Sequence, residues 1–158
     1  MKWKEWLENW SMTSLKINLN FLEMQWEPKD ADKNAAWELY IEMLTRIATQ
    51  YLVPDHGDDK TSLDSVHSLF NLTREIIKKY GRECIEFTKI AIVVLNQKIR
   101  PFTAKWHKES LAGAFKDENK CKIFRKELEN LQKDLRNYTK MLGNMAGIEE
   151  DLTNLEME

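Results

Sequence analysis

The sequence predicts a mainly α protein: a four-helix up-down bundle with a kinked third helix, preceded by an N-terminal aromatic arm that contains one extended segment. Apolar side chains recur at intervals of three and four residues over most of the chain, as on the buried faces of amphipathic helices. Only five glycines and three prolines are present, too few turn residues for an all-β fold of this length. With 42% hydrophobic and 32% charged residues, the chain has the composition of long surface helices around one core.

The length of 158 residues predicts one domain. We divide it into an arm over residues 1–29, a helical bundle over 30–147 and an acidic tail over 148–158 that is expected to fray. No internal repeat and no low-complexity linker separates these parts.

The arm begins with MKWKEWLENW, in which Trp3, Trp6 and Trp10 share one helical stripe. Such a helix either docks on its own bundle or presents its indoles to a partner protein or a second subunit. Within residues 13–26, apolar and polar side chains alternate from Leu15 to Phe21 before the phase slips, and this period of two predicts the extended segment.

The bundle helices follow in order. The first begins after Asp30 or Asp32 and closes at Pro54, with an apolar stripe of Trp37, Tyr40, Ile41, Leu44, Ile47, Ala48 and Tyr51. After a loop over residues 53–60, the second begins at Thr61 or Ser62 and ends at Gly81. The third, from about Glu83, is apolar nearly all round, which predicts burial on all sides. It continues to about Leu111 with a break near Pro101, because proline cannot donate a helical hydrogen bond.

The fourth helix carries the clearest periodicity. Its apolar residues are spaced like the seam of a coiled coil over residues 121–145: Cys121, Phe124, Leu128, Leu131, Leu135, Tyr138, Leu142 and Met145. This seam either packs within the bundle or joins two chains into a homo-oligomer.

Charge and cysteine content restrict the function classes. A net charge of −2 and a pI near 6.0 provide no global attraction for nucleic acid or anionic lipid. Two cysteines without a CxxC pair predict a reduced, cytoplasmic protein, and the longest apolar run, residues 90–95, is too short to span a membrane.

The stretch NQKIRPFTAKWH, residues 96–107, is the most unusual in composition and has three interpretations. It is a kinked core helix, or a protein contact through Arg100, Phe102 and Trp106. Alternatively it is a single-stranded nucleic-acid site, in which aromatic and cationic side chains would cooperate: Arg100, Lys105, Trp106, His107 and Lys108.

This stretch resembles a pattern found in uncharacterised small all-helical bacterial proteins, some encoded near phage-defence or signalling genes. The matching positions are Asn96, Ile99, Arg100, Pro101, Phe102, Lys105, Trp106 and His107. The resemblance implies a bacterial origin and an accessory role in a defence or signalling system, and it implies nothing about catalysis.

Catalytic and metal-binding motifs are scarce. Asp64 and His67 have the spacing of two helical metal ligands, but no second pair accompanies them, and residues 55–59 lack the spacing of a calcium loop. No nucleophile motif or phosphate-binding loop occurs. We therefore expect no enzyme, no metal and no cofactor.

The sequence favours a non-catalytic adaptor, regulator or assembly subunit that binds a partner protein through Trp3, Trp6 and Trp10, and through the kink at Arg100, Phe102 and Trp106. The alternative is the nucleic-acid module at residues 98–108.

Overall fold

The computed structural model describes residues 1–46 and 58–155, and it is 78% helical with no strand among those residues. The mainly α fold class is thereby confirmed, whereas the up-down order of four helices stays a prediction. The arm contains α1 (Trp3–Asn9) and the single turn α2 (Leu19–Leu22). The longer helices are α3 (Asp30–Leu44), α4 (Asp59–Tyr80), α5 (Ile85–Val94), α6 (Arg100–Leu111) and α7 (Glu118–Met145).

The extended segment predicted over residues 13–26 forms no strand, and its residues 19–22 are helical. Residues 15–17 keep the alternating burial, but Asn18 then caps α2 by accepting a hydrogen bond from the Asn20 N–H at 2.7 Å. The backbone of Lys16 finds its partners in one side-chain amide: Gln97 Oε1 accepts from its N–H at 2.8 Å, and Gln97 Nε2 donates to its carbonyl at 2.7 Å. A glutamine side chain therefore satisfies backbone groups that a neighbouring strand would otherwise pair.

Helix α3 is tied to the start of α5 by the buried carboxylate of Asp32. Its Oδ2 accepts from the Lys29 N–H at 2.8 Å, which completes the first turn of α3. Its Oδ1 accepts from the Phe87 N–H at 2.9 Å, one of the amides that the first turn of a helix leaves unpaired. One side chain thus caps two helices that are distant in sequence.

The bounds of α3 and α4 differ from those predicted where the structure describes them. Helix α4 begins at Asp59, two residues before the predicted start, because the Asp58 side chain accepts from the Lys60 N–H. It ends as predicted at Gly81, whose φ of 66° suits glycine. Helix α3 ends at Leu44 with Thr45 as its C-cap, so the predicted continuation of the first bundle helix is wrong at Thr45 and Arg46. Its remainder to Pro54 and most of the following loop lie outside the described residues.

The predicted break near Pro101 is a π-helical turn over Leu95–Ile99, after which α6 begins with Pro101 in its first turn. A wider turn relieves the clash between the proline ring and the preceding turn without interrupting the helix. Nor is this region buried all round: Phe87, Ile90 and Val94 are buried, but Ile85 and Ile92 are about half exposed. The apolar run predicted burial on every side. When all faces of a helix are apolar, the periodicity of the sequence does not show which of them are buried.

Helix α7 packs most extensively against α3, and its seam from Phe124 to Met145 is buried within the chain. Gly143 permits this approach, because a Cβ there would lie 3.0 Å from Tyr40 Cε2. After α7 the chain turns back, and the Leu152 N–H donates to the Tyr40 hydroxyl at 3.2 Å. The tail was expected to fray from residue 148, but its described part, through residue 155, makes this contact with α3.

Candidate functional site

The tryptophans predicted to bind a partner through the arm are mostly inside the molecule. Trp3 is 0% exposed and Trp6 is 1% exposed, while Trp10 is half-buried. The indole N–H of Trp3 donates to Glu86 at 3.0 Å, and that of Trp6 donates to Asn144 at 2.8 Å. A buried and hydrogen-bonded indole offers no contact surface, so the assignment of Trp3 and Trp6 to partner binding is corrected: the arm docks on its own bundle.

Ring packing reinforces this docking. Trp3 and Trp6 meet edge to face, with centroids 5.4 Å apart, and Trp6 stacks on Trp26 at 4.9 Å. Trp3 also lies against Phe21 of α2, at 4.9 Å. Aromatic pairs in these geometries stabilise a fold beyond the area they bury, which accounts for the tryptophan content of the arm.

The aromatic residues of the predicted kink are buried as well. Trp106 is 2% exposed, and its indole N–H donates to Glu127 of α7 at 2.6 Å. Phe102 is buried against Phe124. Neither ring is available to stack on a base or to anchor a partner, so both are corrected to core positions.

The cationic residues near the kink fall into two groups. Lys105 pairs with Glu127 at 2.6 Å, and Arg100 places its guanidinium 4.8 Å from the centre of the Phe70 ring while its Nε donates to Asn96. His107 and Lys108 are exposed and make no ion pair in the part of the chain that the structure describes. Because Trp106 is buried, the five residues of the predicted nucleic-acid site do not share one exposed surface.

The seam of α7 is likewise unavailable as a dimer contact. From Phe124 to Met145 its apolar side chains are buried against helices of the same chain, and Cys121 is half-buried. Burial raises the pKa of the Cys121 thiol, which disfavours the reactive thiolate. Cys84 is buried.

Metal-binding groups do not cluster within residues 1–46 and 58–155: no three His, Cys, Asp or Glu side chains are placed to hold one ion. Asp64 pairs instead with Lys60, and the His67 ring packs on Phe70. Over the same residues, no helix combines the length and apolar character needed to cross a bilayer.

A cleft lies where α7 ends. This cleft, of about 460 Å³, has Tyr40 and the half-buried Trp10 in its walls. Its polar lining includes Lys140 and the exposed carboxylates of Glu149, Glu150 and Asp151. We call it the tail cleft. Its combination of indole surface and carboxylates suits a cationic, partly apolar group.

Exposed apolar side chains mark the opposite end of α7. We define the hairpin end as residues 105–126, which contain the second half of α6, a 3₁₀ turn at Ala114–Lys116 and the first turns of α7. Leu111 is 79% exposed and Ile123 is 52% exposed. Two ion pairs between the helices, Lys105–Glu127 and Lys120–Glu109, bracket Ile123 along α7.

Positive charge surrounds these two side chains. The hairpin end holds seven Lys or Arg residues against three Asp or Glu. Its exposed cationic side chains that make no ion pair in the described structure are His107, Lys108, Lys116, Lys122 and Lys126. His107 and Lys108 precede Leu111 by one helical turn, so they share its side of α6.

Sequence reasoning missed this surface although a signal was present. Leu111 and Ile123 both fall outside the buried stripes, which run through Phe102 and Trp106 on α6 and through Cys121 and Phe124 on α7. An apolar residue that leaves the stripe of its own helix is a candidate for exposure.

Comparisons with protein-family models, with curated protein sequences and with solved structures give no match to this chain.

Proposed function

We propose that the protein is a non-catalytic helical module that binds another protein, and that it does so through the hairpin end. The observation that carries the proposal is the exposure of Leu111 and Ile123 among cations that have no ion-pair partner in the described chain. This surface replaces Trp3 and Trp6 of the arm and Phe102 and Trp106 of the kink, which are buried in the core.

The chemistry of the hairpin end favours a protein partner of a particular kind. Protein interfaces combine a few desolvated apolar anchors with a polar rim, and here Leu111 and Ile123 would be the anchors. Unpaired cations in the rim favour an acidic partner and accelerate its association. We therefore expect an acidic, partly apolar partner surface.

Two carboxylates with lowered pKa values, Glu38 and Glu109, are engaged in contacts between helices. A hydrogen bond from Lys79, with a second from Tyr80, lowers the pKa of Glu38 and joins α3 to α4. A hydrogen bond from Lys120 lowers the pKa of Glu109 and joins α6 to α7. Each pair is a bridge within the fold rather than a general acid and base facing a cleft.

Single-strand binding is the weaker candidate, because it requires exposed rings and Trp106 is inside. An accessory role in a bacterial defence or signalling system rests on the resemblance of residues 96–107. The apolar members of that pattern, Ile99, Phe102 and Trp106, are core residues, so helix packing is sufficient to explain them.

Site-specific photo-crosslinking in the native host tests the proposal. A benzophenone amino acid replaces Leu111 or Ile123, and the matched control places it at Ile92, which is 48% exposed on α5. We expect a covalent protein adduct from positions 111 and 123 and none from position 92. The adduct should disappear in the K108E/K122E background, since the partner is expected to be acidic. Equal labelling from all three positions, or labelling from position 92 alone, would contradict the proposal.

A further inference from the structure

We infer that the partner of the hairpin end is the tail cleft of a second copy of this chain, so that the protein associates head to tail. The inference rests on the proposed function and identifies the occupant of that surface. Both surfaces of the contact are present on one molecule. The hairpin end supplies cations and a projecting leucine, and the tail cleft supplies carboxylates and a recess.

The two surfaces have opposite charge. Residues 149–155 contain three Asp or Glu and no Lys or Arg, whereas the hairpin end has a clear excess of cations. In the tail cleft, Glu149 and Glu150 are exposed and make no ion pair within the described chain. Complementary fields of this kind orient two molecules before contact and set their register.

The two surfaces also complement one another in shape and polarity. The hairpin end projects Leu111 just before the left-handed turn at Gly113, whose φ is 85°. The tail cleft is a recess of about 460 Å³ with the indole of Trp10 in its wall. An exposed leucine flanked by cations fits a recess that combines an indole with carboxylates. Lys140 in the cleft opposes this charge pattern, and the adjacent carboxylates outnumber it.

Length prevents the two surfaces from meeting within one molecule. Helix α7 has 28 residues, which at about 1.5 Å per residue gives a rod about 42 Å long. The hairpin end lies at its start and the tail cleft at its end, where the Leu152 N–H is bonded to Tyr40. Only a second copy can bring them together.

A contact between two different surfaces forms closed rings where the rotation between copies closes and open chains where it does not. We infer the open form, in which each added molecule leaves one hairpin end and one tail cleft free, so association continues beyond the dimer as the protein concentration rises. The mean mass measured by sedimentation or light scattering should therefore pass twice the monomer mass of 18.8 kDa.

Charge reversal with mixing tests the inference. One variant, K108E/K122E, replaces two cations of the hairpin end with carboxylates, and the other, E149K/E150K, replaces two carboxylates of the tail cleft with cations; all four side chains are exposed. We expect each variant alone to associate at least tenfold more weakly than the parent chain. An equimolar mixture should return to within about threefold of the parent, because each end then meets its opposite charge. The control K33E/K133E changes two exposed lysines outside both surfaces and should leave association unchanged.

Salt provides the second measurement on the same samples. Raising the ionic strength from about 0.1 M to about 1 M shortens the Debye length from about 10 Å to about 3 Å. Association of the parent chain should fall at least tenfold over that range, and circular dichroism confirms that each variant stays helical.

Several results would overturn the inference. The first is that the parent chain keeps a mass of 18.8 kDa up to about 1 mM, which excludes a Kd near 1 mM or tighter. The second is that the mixture of the two variants associates no more strongly than either variant alone. A hairpin end that binds heparin or an oligonucleotide without self-association would also overturn it. Photo-crosslinks from position 111 to a different protein would leave the proposed function standing and refute only this choice of partner.

Discussion

The arm and the hairpin end both concentrate large apolar side chains, and the molecule uses them in opposite ways. In the arm, Trp3 and Trp6 are enclosed, and each indole N–H has an acceptor on another helix. At the hairpin end, Leu111 and Ile123 face outward among cations that lack ion-pair partners in the described chain. The region with the more conspicuous residues is the structural one, and the less conspicuous region is available for binding.

The acceptors of the indole N–H groups show why. Glu86 accepts from Trp3 and from Lys89, and Glu127 accepts from Trp106 and from Lys105. Each carboxylate satisfies a tryptophan that would otherwise bury a polar N–H, while a lysine compensates its charge. A tryptophan whose indole N–H is bonded to a carboxylate is fixed in one position. Such a residue stabilises a core and is not available to contact a partner protein.

Truncation of the arm gives the sharpest test of the comparison and the largest expected effect. Deleting residues 1–12 removes Trp3, Trp6, Leu7 and Met12 from the core, so the chain should lose its cooperative unfolding transition. The single change Trp6→Ala should lower the free energy of unfolding by about 3–5 kcal/mol. Urea unfolding followed by circular dichroism measures both. A truncated chain that unfolds like the parent would contradict the arm's place in the core.

Substitution of Asp32 has the second largest expected effect. It tests the buried hydrogen bonds that join α3 to α5, rather than the packing of an aromatic ring. Asp32→Ala leaves the Phe87 N–H without its acceptor inside the protein, at a cost of about 1–3 kcal/mol in the free energy of unfolding. Asp32→Asn keeps one acceptor oxygen and should cost less. If the alanine variant is as stable as the parent in urea, Asp32 does not hold the two helices together.

Acid should weaken the bridges between helices. The pKa of Glu38 lies below its ordinary value of 4.5, first because Lys79 donates to it and second because Tyr80 does. A depressed pKa in the folded state means that the contribution is present above pH 4.5 and is lost as the pH falls through the lower folded value. The variant Glu38→Gln lacks this titrating group. Below pH 4.5 its free energy of unfolding should therefore decrease by up to about 1 kcal/mol less than that of the parent chain. Urea unfolding at a series of pH values measures it, and parallel curves for the two proteins would contradict the assignment.

The smallest expected effect belongs to the exposed side chains. Leu111→Ser and Ile123→Ser should each change the free energy of unfolding by no more than about 0.5 kcal/mol, because neither side chain is in the core. The same changes should weaken partner binding, which Ile92→Ser on α5 should leave intact. A loss of several kcal/mol in either hairpin variant would place that residue in the core and remove the contrast with the arm.

Much of this arrangement follows from local pattern, and the remainder depends on partners that are distant in the chain. The α7 seam was predictable because an interval of three and four residues defines one face. The strand prediction for residues 13–26 failed because Gln97, more than eighty residues away, bonds both backbone groups of Lys16.

The candidate site follows the same logic. Amphipathic spacing shows that Trp3, Trp6 and Trp106 share a face with other apolar residues, but not what covers that face. The residue type therefore pointed to a binding role, while the contacts to Glu86, Asn144 and Glu127 indicate a core role. The exposed pair, Leu111 and Ile123, was visible in the sequence only as two residues that leave their stripes.

Hydrogen exchange of the six tryptophan indole N–H groups, followed by NMR, tests the central claim most directly. We predict that Trp3, Trp6 and Trp106 exchange only through global unfolding, whereas Trp37, which is 41% exposed, exchanges at nearly the rate of a free indole. Exchange of Trp3, Trp6 and Trp106 as rapid as that of Trp37 would show that these indoles are open to solvent and would contradict the account.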